Sequence, residues 1–363
     1  MKRQVKSPAR TLASLRQLCC LNLPEELFMP KFLEALQDWL PVHNSHFYWA
    51  DPKTLQPSNY CGDGFGQMGT IRQFVTHTSQ MDHPGLGVAF PAVMRHHRSG
   101  TFGCEGEVQT YLKSDMYGEV MQPFDGRYVL YLVLRDANNQ PRGLMSLLRH
   151  PSDKPFSHGD HQKLLQLEPY LRHSFSVSPG AASGHEIRDT EGMAILDTHG
   201  SLRYQDEAAR RLLWMASHER TDTPSLIHLD SQGITPALKR LHQRLVSTFQ
   251  GHASPPPTLE QRNGWGRFVF RASWLEGSGG ASVGVRIFHY IPRRLKLWQS
   301  IHKAWLAPRQ QEVALLFGEG QSLADIAATL NISRHTAAEY VDVIYERLGI
   351  TPSREALQDM LLH

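Results

Sequence analysis

The sequence predicts an α+β N-terminal region of antiparallel sheets with helices, followed by an all-α C-terminal region of four short helices. Three observations predict this fold class. Apolar strand-like segments occur in pairs separated by turn residues, at 127–149 and 266–291. Helical stretches with apolar residues three and four apart lie beside them. Residues 306–357 contain four further helical stretches with little chain between them. At 363 residues the chain is long enough for two or three domains, each with its own core.

The N-terminal region begins with a predicted helix at 25–40. Its apolar stripe is formed by Phe28, Phe32, Leu36 and Leu40. We expect Pro30 in the first turn of this helix, where a missing amide hydrogen is tolerated. Residues 46–51 and 57–61 are short strand-like segments. The basic residues before this helix, Lys2, Arg3, Lys6, Arg10 and Arg16, are more typical of a solvated tail than of a nucleic-acid-binding arm.

The clearest sheet pattern follows at Arg127–Arg149. Two apolar strands flank an Asn-rich turn at 137–141, which predicts a hairpin buried on at least one face. Ser157 then stands where an N-cap belongs, with Asp160 in the first helical turn. The helix that follows is expected to be kinked or interrupted at Pro169.

Residues 174–186 have the composition of a linker, and a second strand-rich region follows at 186–292. It reads as a strand, a turn at His199–Gly200, a strand and a helix, then a helix at 236–249. Two strands at 266–275 and 281–291 form another hairpin around a Gly-rich turn. Residues 293–305 are a helix that connects this region to the C-terminal one and is also a candidate dimer contact.

The C-terminal region at 306–363 has the pattern of a helix-turn-helix domain. Ser322 caps a helix with an apolar stripe, Asn331 and Ile332 form a turn, and Ser333 caps a longer helix that ends at Gly349. The stripe of the longer helix consists of Ala337, Val341, Ile344 and Leu348.

This segment resembles the LuxR-type, or GerE-type, DNA-binding domain. The family pattern L-[ST]-P-R-E-x-E-V, G-x-S-x-x-E-I-A, L-x-I-S-x-x-T-V and I-x-x-K-L-G-V is matched in register by Leu306, Pro308, Arg309, Glu312, Val313, Gly320, Ser322, Ile326, Ala327, Leu330, Ile332, Ser333, Thr336, Ile344, Leu348 and Gly349. The resemblance implies a homodimer on double-stranded DNA, with the helix at 333–345 in the major groove. The residues that it places at DNA are Arg309, Ser333, Arg334, His335, Thr336, Glu339, Tyr340, Val343, Arg347 and Arg354.

The charge of this region departs from the family pattern. The face opposite the apolar stripe of the third helix carries Glu339, Asp342 and Glu346, and residues 301–363 hold five cations against eight anions. Ala307 also replaces the usual Ser/Thr cap, at about 1 kcal/mol of helix stability. Because DNA affinity depends largely on phosphate neutralisation, a second hypothesis remains open. In that alternative, a degenerate acidic helix-turn-helix binds a basic protein partner and does not bind DNA strongly.

The preceding regions resemble sensory domains. A hairpin, an F-S-x-x-D helix start and an L-x-P-x-L tail make 20–175 similar to a GAF-like domain, and the strand, Asp, Gly turn and helix at 186–292 resemble a PAS-like domain. The resemblance implies that they respond to a small-molecule effector or a partner. Candidate ligand-binding residues are the aromatic side chains Phe47, Tyr48, Trp49 and Tyr60, although simple core packing is the alternative for these residues.

Enzymatic chemistry is not expected, and neither a cofactor nor a metal is predicted. Residues 64–69 satisfy G-x-G-x-x-G, but no βαβ unit surrounds them, so a loop is favoured over a dinucleotide site. The abundant histidines lack metal-ligand spacing. The four cysteines form no C-x-x-C pair, which indicates reduced thiols. No apolar run could span a membrane and no signal peptide is visible, so we expect a cytoplasmic protein.

Overall fold

The structure is a computed structural model that describes residues 8–62, 90–104, 111–114, 116–176, 186–217, 236–277, 280–304 and 306–362. These residues divide into two compact units. The first unit holds 8–176 and 293–362, and the second holds 186–217 and 236–292. The fold class predicted from the sequence is confirmed: each unit contains a five-stranded antiparallel sheet with helices, and the C-terminal region is entirely helical.

The sheet of the first unit has the strand order β2-β1-β5-β4-β3. Its strands are β1 (Asn44–Ala50), β2 (Pro57–Gly62), β3 (Ser99–Phe102), β4 (Tyr128–Arg135) and β5 (Pro141–Arg149). The predicted hairpin is confirmed, with β4 and β5 paired from Tyr128 opposite Arg149 to Arg135 opposite Pro141. All but the ends of β4 and β5 are buried because both faces of the sheet are covered.

Four helices of the first unit pack around this sheet: α2 (Glu25–Leu36), α3 (Phe90–His96), α4 (His158–Leu165) and α5 (Glu168–Ser174). Pro30 lies inside α2 rather than in its first turn, so that expectation was wrong. Ser157 and Asp160 form the predicted capping box at the start of α4. Pro169 separates α4 from α5, because proline suits the first positions of a new helix and not the interior of the old one.

The N-terminal segment differs from the predicted solvated tail. Residues Pro8–Cys19 form a helix, α1, with one buried face made of Thr11, Ser14, Leu15, Leu18 and Cys19. This spacing is that of a helix packed along one side. Arg10 and Arg16 are therefore carried by a docked helix, and Arg16 lies over the ring of Tyr170 at 4.9 Å.

The sheet of the second unit has the same strand order as the first, β7-β6-β10-β9-β8. Its strands are β6 (Glu186–Leu196), β7 (Leu202–Gln205), β8 (Thr258–Asn263), β9 (Gly266–Gly277) and β10 (Gly280–Pro292), and its helices are α6 (Glu207–Ser217) and α7 (Pro236–Phe249). The predicted strand-turn-strand, the helix at 236–249 and the hairpin of β9 and β10 are confirmed, while β8 was not predicted.

Helix α6 is held tightly on β6. Asp206 accepts hydrogen bonds from the amides of Ala209, at 2.6 Å, and of Met193, at 2.9 Å, so one carboxylate caps the helix and ties it to the strand. A Cβ added to Gly192 would lie 2.3 Å from the backbone nitrogen of Ala209. Glycine at this position therefore allows the close approach of helix and strand.

The C-terminal part of the first unit consists of α8 (Arg293–Lys303), α9 (Pro308–Gly318), α10 (Leu323–Leu330), α11 (Arg334–Leu348) and α12 (Arg354–Leu362). The sequence predicted all five helices, and α11 ends, as expected, at Gly349 with φ of 65°. Helix α10 ends in the same way at Asn331, whose φ is 51°. The left-handed backbone conformation of the residues at these two helix ends makes the sharp turns that bring the helices against one another.

Candidate nucleic-acid interface

Helices α10 and α11 form a helix-turn-helix whose capping was visible in the sequence. Ser322 and Asp325 form a capping box on α10, and the Ser333 side chain accepts a hydrogen bond from the Thr336 amide at 2.9 Å. These caps satisfy amide groups that a helix start leaves without partners. The short turn at 331–333 then joins the two helices, as in helix-turn-helix motifs.

The buried side of α11 carries the predicted apolar stripe and one additional residue. Ala337, Val341 and Ile344 are buried, and Leu348 is partly buried. Tyr345 is also buried, with its ring 6.4 Å from that of Phe317 on α9 in an edge-on arrangement. Burial raises the pKa of this phenol. The residues that hold α11 in place are thus separate from those that it exposes.

The exposed side of α11 combines a polar N-terminal turn with an acidic surface. Ser333, Arg334 and His335 are exposed at the start of the helix. Glu339, which is also exposed, lies 3.5 Å from His335, so a protonated His335 would pair with it. Further carboxylates follow at Asp342 and Glu346, both exposed. Neither Glu339 nor Glu346 is turned inward.

A second strip of α11 carries no carboxylate. Thr336, Tyr340, Val343 and Arg347 follow at i, i+4, i+7 and i+11 and therefore lie along one flank of the helix. The first three are partly buried and Arg347 is exposed. We call these four residues the neutral flank, since its only charge is the Arg347 guanidinium at its C-terminal end.

Arg309 and Arg354, two of the residues predicted to contact DNA, donate hydrogen bonds to backbone carbonyl groups within the domain. Arg309 donates to the carbonyl of Leu330 at the end of α10 and pairs with Glu312. Arg354 donates to two carbonyls of the turn before α10, those of Gly320 and Gln321, each at 2.7 Å. Its guanidinium also lies over the Phe317 ring at 4.2 Å. This structural role was missed in the sequence, because a motif position does not reveal which acceptor an arginine reaches.

The missing hydroxyl cap at Ala307 is partly compensated. Gln310, in the first turn of α9, accepts a hydrogen bond from the Ala307 amide at 2.8 Å. This is the returning half of a capping box, in which the third residue of the helix reaches back to the cap position. The other half, a side-chain oxygen at position 307, is absent because alanine has none.

The four aromatic ligand candidates of the first unit lie on opposite faces of its sheet. Phe47 and Trp49 lie on the face of the sheet that α2 covers: their rings are 4.9 Å apart, and the Trp49 indole donates to Glu25 of α2 at 3.0 Å. Tyr48 and Tyr60 pair across the strands on the other face, with ring centroids 5.1 Å apart. Side chains alternate between faces along a strand, so the structure does not bring the four together.

The Tyr48 face is lined with phenol and imidazole groups. The Tyr60 hydroxyl is hydrogen-bonded to Nδ1 of the buried His46 at 2.6 Å, and burial lowers the pKa of His46 to about 3. Burial raises the pKa of Tyr48 well above its ordinary value. Tyr111, also buried here, has a hydroxyl that finds no hydrogen-bond partner among the described residues, and burial raises its pKa as well. These groups are neutral at physiological pH.

The remaining sequence features, which are the glycine-rich segment, the histidines and the cysteines, form no further candidate site among the described residues. Residues 64–69 and the histidines at 77 and 83 lie outside the described residues. Within the described ranges, His, Cys, Asp and Glu side chains form no group able to hold a metal ion. All four cysteines are described and carry free thiols. No helix among the described residues has the length and apolar character needed to cross a membrane.

Comparison with known proteins identifies the C-terminal domain. Residues 304–360 match the GerE family model, described as bacterial regulatory proteins of the luxR family. This domain, with its helix-turn-helix geometry, indicates a DNA-binding transcription regulator. No curated protein matches the chain.

Three solved structures have distant similarity to the chain. The E. coli DhaR(N)–DhaL complex has 12% identity and a TM-score of 0.26, covering 78% of this chain and 88% of that chain. The phage VqmA–DPO complex has 21% identity and a TM-score of 0.17, covering 47% and 79%. The sensor region of a sensor histidine kinase has 14% identity and a TM-score of 0.19, covering 69% and 84%. Similarity at this level carries no argument about ligand or mechanism.

Proposed function

We propose that the protein regulates transcription by binding double-stranded DNA as a homodimer, and that its N-terminal regions respond to a small-molecule effector or a partner. One observation carries the proposal. The exposed, capped N-terminal turn of α11 belongs to a helix-turn-helix in the segment that matches the luxR family model. In such domains the second helix of the motif reads the major groove.

Specific DNA contacts are assigned by position on α11. Arg334, Thr336 and Tyr340 contact bases or phosphates, together with Ser333, His335 and Val343 around them. Arg347 contacts the DNA backbone. Arg309 and Arg354 add positive charge to the domain, although each also donates hydrogen bonds to a backbone carbonyl group. Glu339 stands at the same surface and selects for groups that donate hydrogen bonds, such as the cytosine amino group.

The experiment is a salt series of binding measurements with the full chain and the DNA upstream of its own coding sequence. The logarithm of the association constant falls linearly with the logarithm of salt concentration, by about 0.9 for each phosphate neutralised. We expect a clear negative slope, and protection of two half-sites about one helical turn apart, as a two-fold dimer requires. A flat salt dependence, or no binding at low salt, would exclude the proposal.

The sensory part of the proposal concerns a GAF-like domain at 20–175 and a PAS-like domain at 186–292. Helix α8 follows β10 without a break in the chain, which supports a role in passing a change of state to the DNA-binding domain. An effector acts by binding one dimer geometry more tightly than another. The buried phenol and imidazole groups around Tyr48 and Tyr60 favour that face of the sheet as the effector site over the Phe47 and Trp49 face. Native mass spectrometry of the purified chain tests whether a small molecule is bound.

A second candidate function is supported by the acidic surface of α11. Glu339, Asp342 and Glu346 are exposed, in a region with an excess of three anions. Such a surface fits a basic protein partner better than a phosphate backbone. Changing the three residues to Lys distinguishes the two functions. Loss of partner binding together with a gain of DNA affinity supports the second function, and unchanged partner binding rejects it.

A further inference from the structure

The outer face of the second sheet, opposite to the face that α6 covers, carries three arginines around one aromatic ring. The guanidinium carbons of Arg286, Arg271 and Arg188 lie 4.9 Å, 5.5 Å and 5.6 Å from the centroid of the Phe288 ring. All three arginines are exposed, and Phe288 is buried. An aromatic face positions a guanidinium group without neutralising its charge. Three neighbouring strands, β6, β10 and β9, therefore hold three positive charges close together. We call these residues the arginine cluster.

A β-bulge places Arg188 on this face. Where Arg188 of β6 pairs with Tyr290 of β10, the register shifts, and Asp189 is an extra residue in β6. An extra residue reverses the alternation of side chains along a strand. Arg188 therefore lies on the same face as Glu191, with which it forms an ion pair at 3.3 Å. Regular pairing would have placed Arg188 on the opposite face, away from the other two arginines.

Two members of the arginine cluster lie in positions where their charges repel. Arg271 and Arg286 are directly opposite each other in the pairing of β9 and β10. Like charges in such cross-strand positions destabilise a sheet. An anion placed between the two guanidinium groups would remove this repulsion and would gain a hydrogen bond from each. The arrangement is therefore better suited to a bound anion than to the isolated sheet.

The carboxylates of the same face do not neutralise the arginine cluster. Glu191 is shared, because it pairs with Arg286 at 3.2 Å as well as with Arg188. Glu260 of β8 pairs with Arg267 instead, at 3.4 Å. Among the described residues, Arg271 has its contact with the Phe288 ring but no carboxylate in an ion pair. Three guanidinium groups with one carboxylate leave an excess of two positive charges.

Exposed apolar side chains adjoin the arginine cluster. Met193 is directly opposite Arg286 in the pairing of β6 and β10. Leu275 leans over Gly284, where an added Cβ would lie 2.8 Å from a Leu275 methyl carbon. Tyr204, on the edge strand β7, shares this face. Three of the five large apolar side chains that are exposed among the described residues thus lie here, and such a concentration marks an interaction surface.

Positive charge beside apolar surface fits an acidic protein segment better than other partners. A phosphate backbone has no apolar groups to pack on Met193 and Leu275. The same face of a second copy would bring its own excess of positive charge, and like charges across an interface are unfavourable. Protein interfaces combine an apolar centre with a charged rim and are enriched in Arg, Met and Tyr. The partner that fits carries carboxylates next to apolar side chains.

We propose that the outer face of the second sheet is a docking surface for an acidic amphipathic segment of a protein partner. Carboxylates of this segment pair with Arg271 and Arg286, and its apolar side chains pack on Met193 and Leu275. The inference rests on the part of the proposed function in which the N-terminal regions respond to a partner, and it gives that partner a chemistry and a binding surface. It requires no DNA contact by this sheet.

The test measures binding of a labelled peptide to the full chain by fluorescence anisotropy, without DNA. The probe is a helical peptide of about 20 residues, long enough to fold alone, with Leu on one face and Glu on the other. We expect binding that weakens as salt is added. Arg271→Glu and Arg286→Glu should each weaken it by about tenfold or more, as close charge pairs at interfaces do. Arg271→Lys should retain binding, because it keeps the charge in a folded sheet.

Arg240→Glu is the matched control, because Arg240 is exposed on α7 and lies outside this face. It should leave the affinity for the peptide unchanged. Equal weakening by Arg240→Glu and Arg271→Glu would overturn the proposal, since the effect would then be that of net charge. Equal binding of a peptide with Gln in place of Glu would also overturn it, because the arginines would then have no role.

Other occupants of the face give different results. No binding of the acidic peptide at low salt, together with a lower salt slope of DNA binding in Arg271→Glu, would assign the face to nucleic acid. No peptide binding, together with a dimer that Met193→Glu dissociates, would assign it to a second copy. Either result overturns the docking proposal. Neither removes the proposed DNA-binding function, which the salt series on the unaltered chain tests separately.

Discussion

The buried histidine of the first sheet makes the stability of that sheet depend on pH. His46 is 2% exposed, and burial lowers its pKa to about 3, whereas in an unfolded chain the pKa is about 6.5. Between these two values the unfolded chain binds a proton that the folded chain does not, so the free energy of unfolding falls as pH falls. Stability from this group is complete above about pH 6.5. At about pH 5 the loss is about 2 kcal/mol, and it continues down to the folded pKa.

Replacing His46 with Asn tests this reasoning. The amide places a polar group near the position of Nδ1, which is hydrogen-bonded to Tyr60 in the native protein, but it does not titrate. Native-state hydrogen exchange of peptides covering β1 and β5 measures the free energy of opening of the sheet at about pH 8 and about pH 5. His46→Asn should lower stability at both pH values and should have a smaller loss on acidification, by about 2 kcal/mol. The control variant His43→Asn, at an exposed position, should lose as much stability on acidification as the unaltered chain does. The same acid loss in His46→Asn and in the unaltered chain would refute the assignment.

Three further predictions concern local stability. Arg354→Met should destabilise α10 and α12 by about 1–3 kcal/mol, because two charge-assisted hydrogen bonds to the turn before α10 are lost. Hydrogen exchange of α10 and α12 should detect this loss of stability. The control variant Arg334→Met, at an exposed position, should leave their exchange unchanged. Gly192→Ala should destabilise the second unit by about 1–3 kcal/mol, since the new methyl group would overlap the backbone of Ala209. A thermal midpoint equal to that of the unaltered chain would contradict this. Ser322→Ala should cost about 1 kcal/mol through loss of its capping box, measured as faster exchange in α10.

The helix-turn-helix could be predicted from the sequence because its determinants are local. Ser322, Ser333 and Gly349 mark helix ends by capping chemistry, and the apolar stripes between them repeat with the helical period. The β4–β5 hairpin is local for the same reason, since an Asn-rich turn joins two apolar strands. Interactions within about ten residues leave a readable pattern.

Helix α1 was not predicted, although a faint signal existed. Its buried positions repeat at i, i+3, i+4, i+7 and i+8, but the first two are Thr11 and Ser14 rather than apolar residues. A stripe of mixed polarity resembles a solvated segment until a partner surface is known. Here the Ser14 side chain and backbone carbonyl meet partners on α8, nearly three hundred residues away along the chain.

The alternation of side chains along β1 could have shown from the sequence that Tyr48 and Trp49 lie on opposite faces of the sheet, because that alternation follows from strand geometry alone.

The amino-acid sequence by itself determined most of the helices and both hairpins, and it indicated a DNA-binding type of domain in the C-terminal region. Those properties depend on capping, turn residues and apolar periodicity, which act between near neighbours. Only the tertiary structure decided the role of each arginine. Arg354 donates to carbonyl groups of the turn before α10, while Arg309 donates to the carbonyl of Leu330 at the end of that helix. A long charged side chain has no preferred partner in the sequence, and the acceptor or anion that it contacts depends on how the helices are packed.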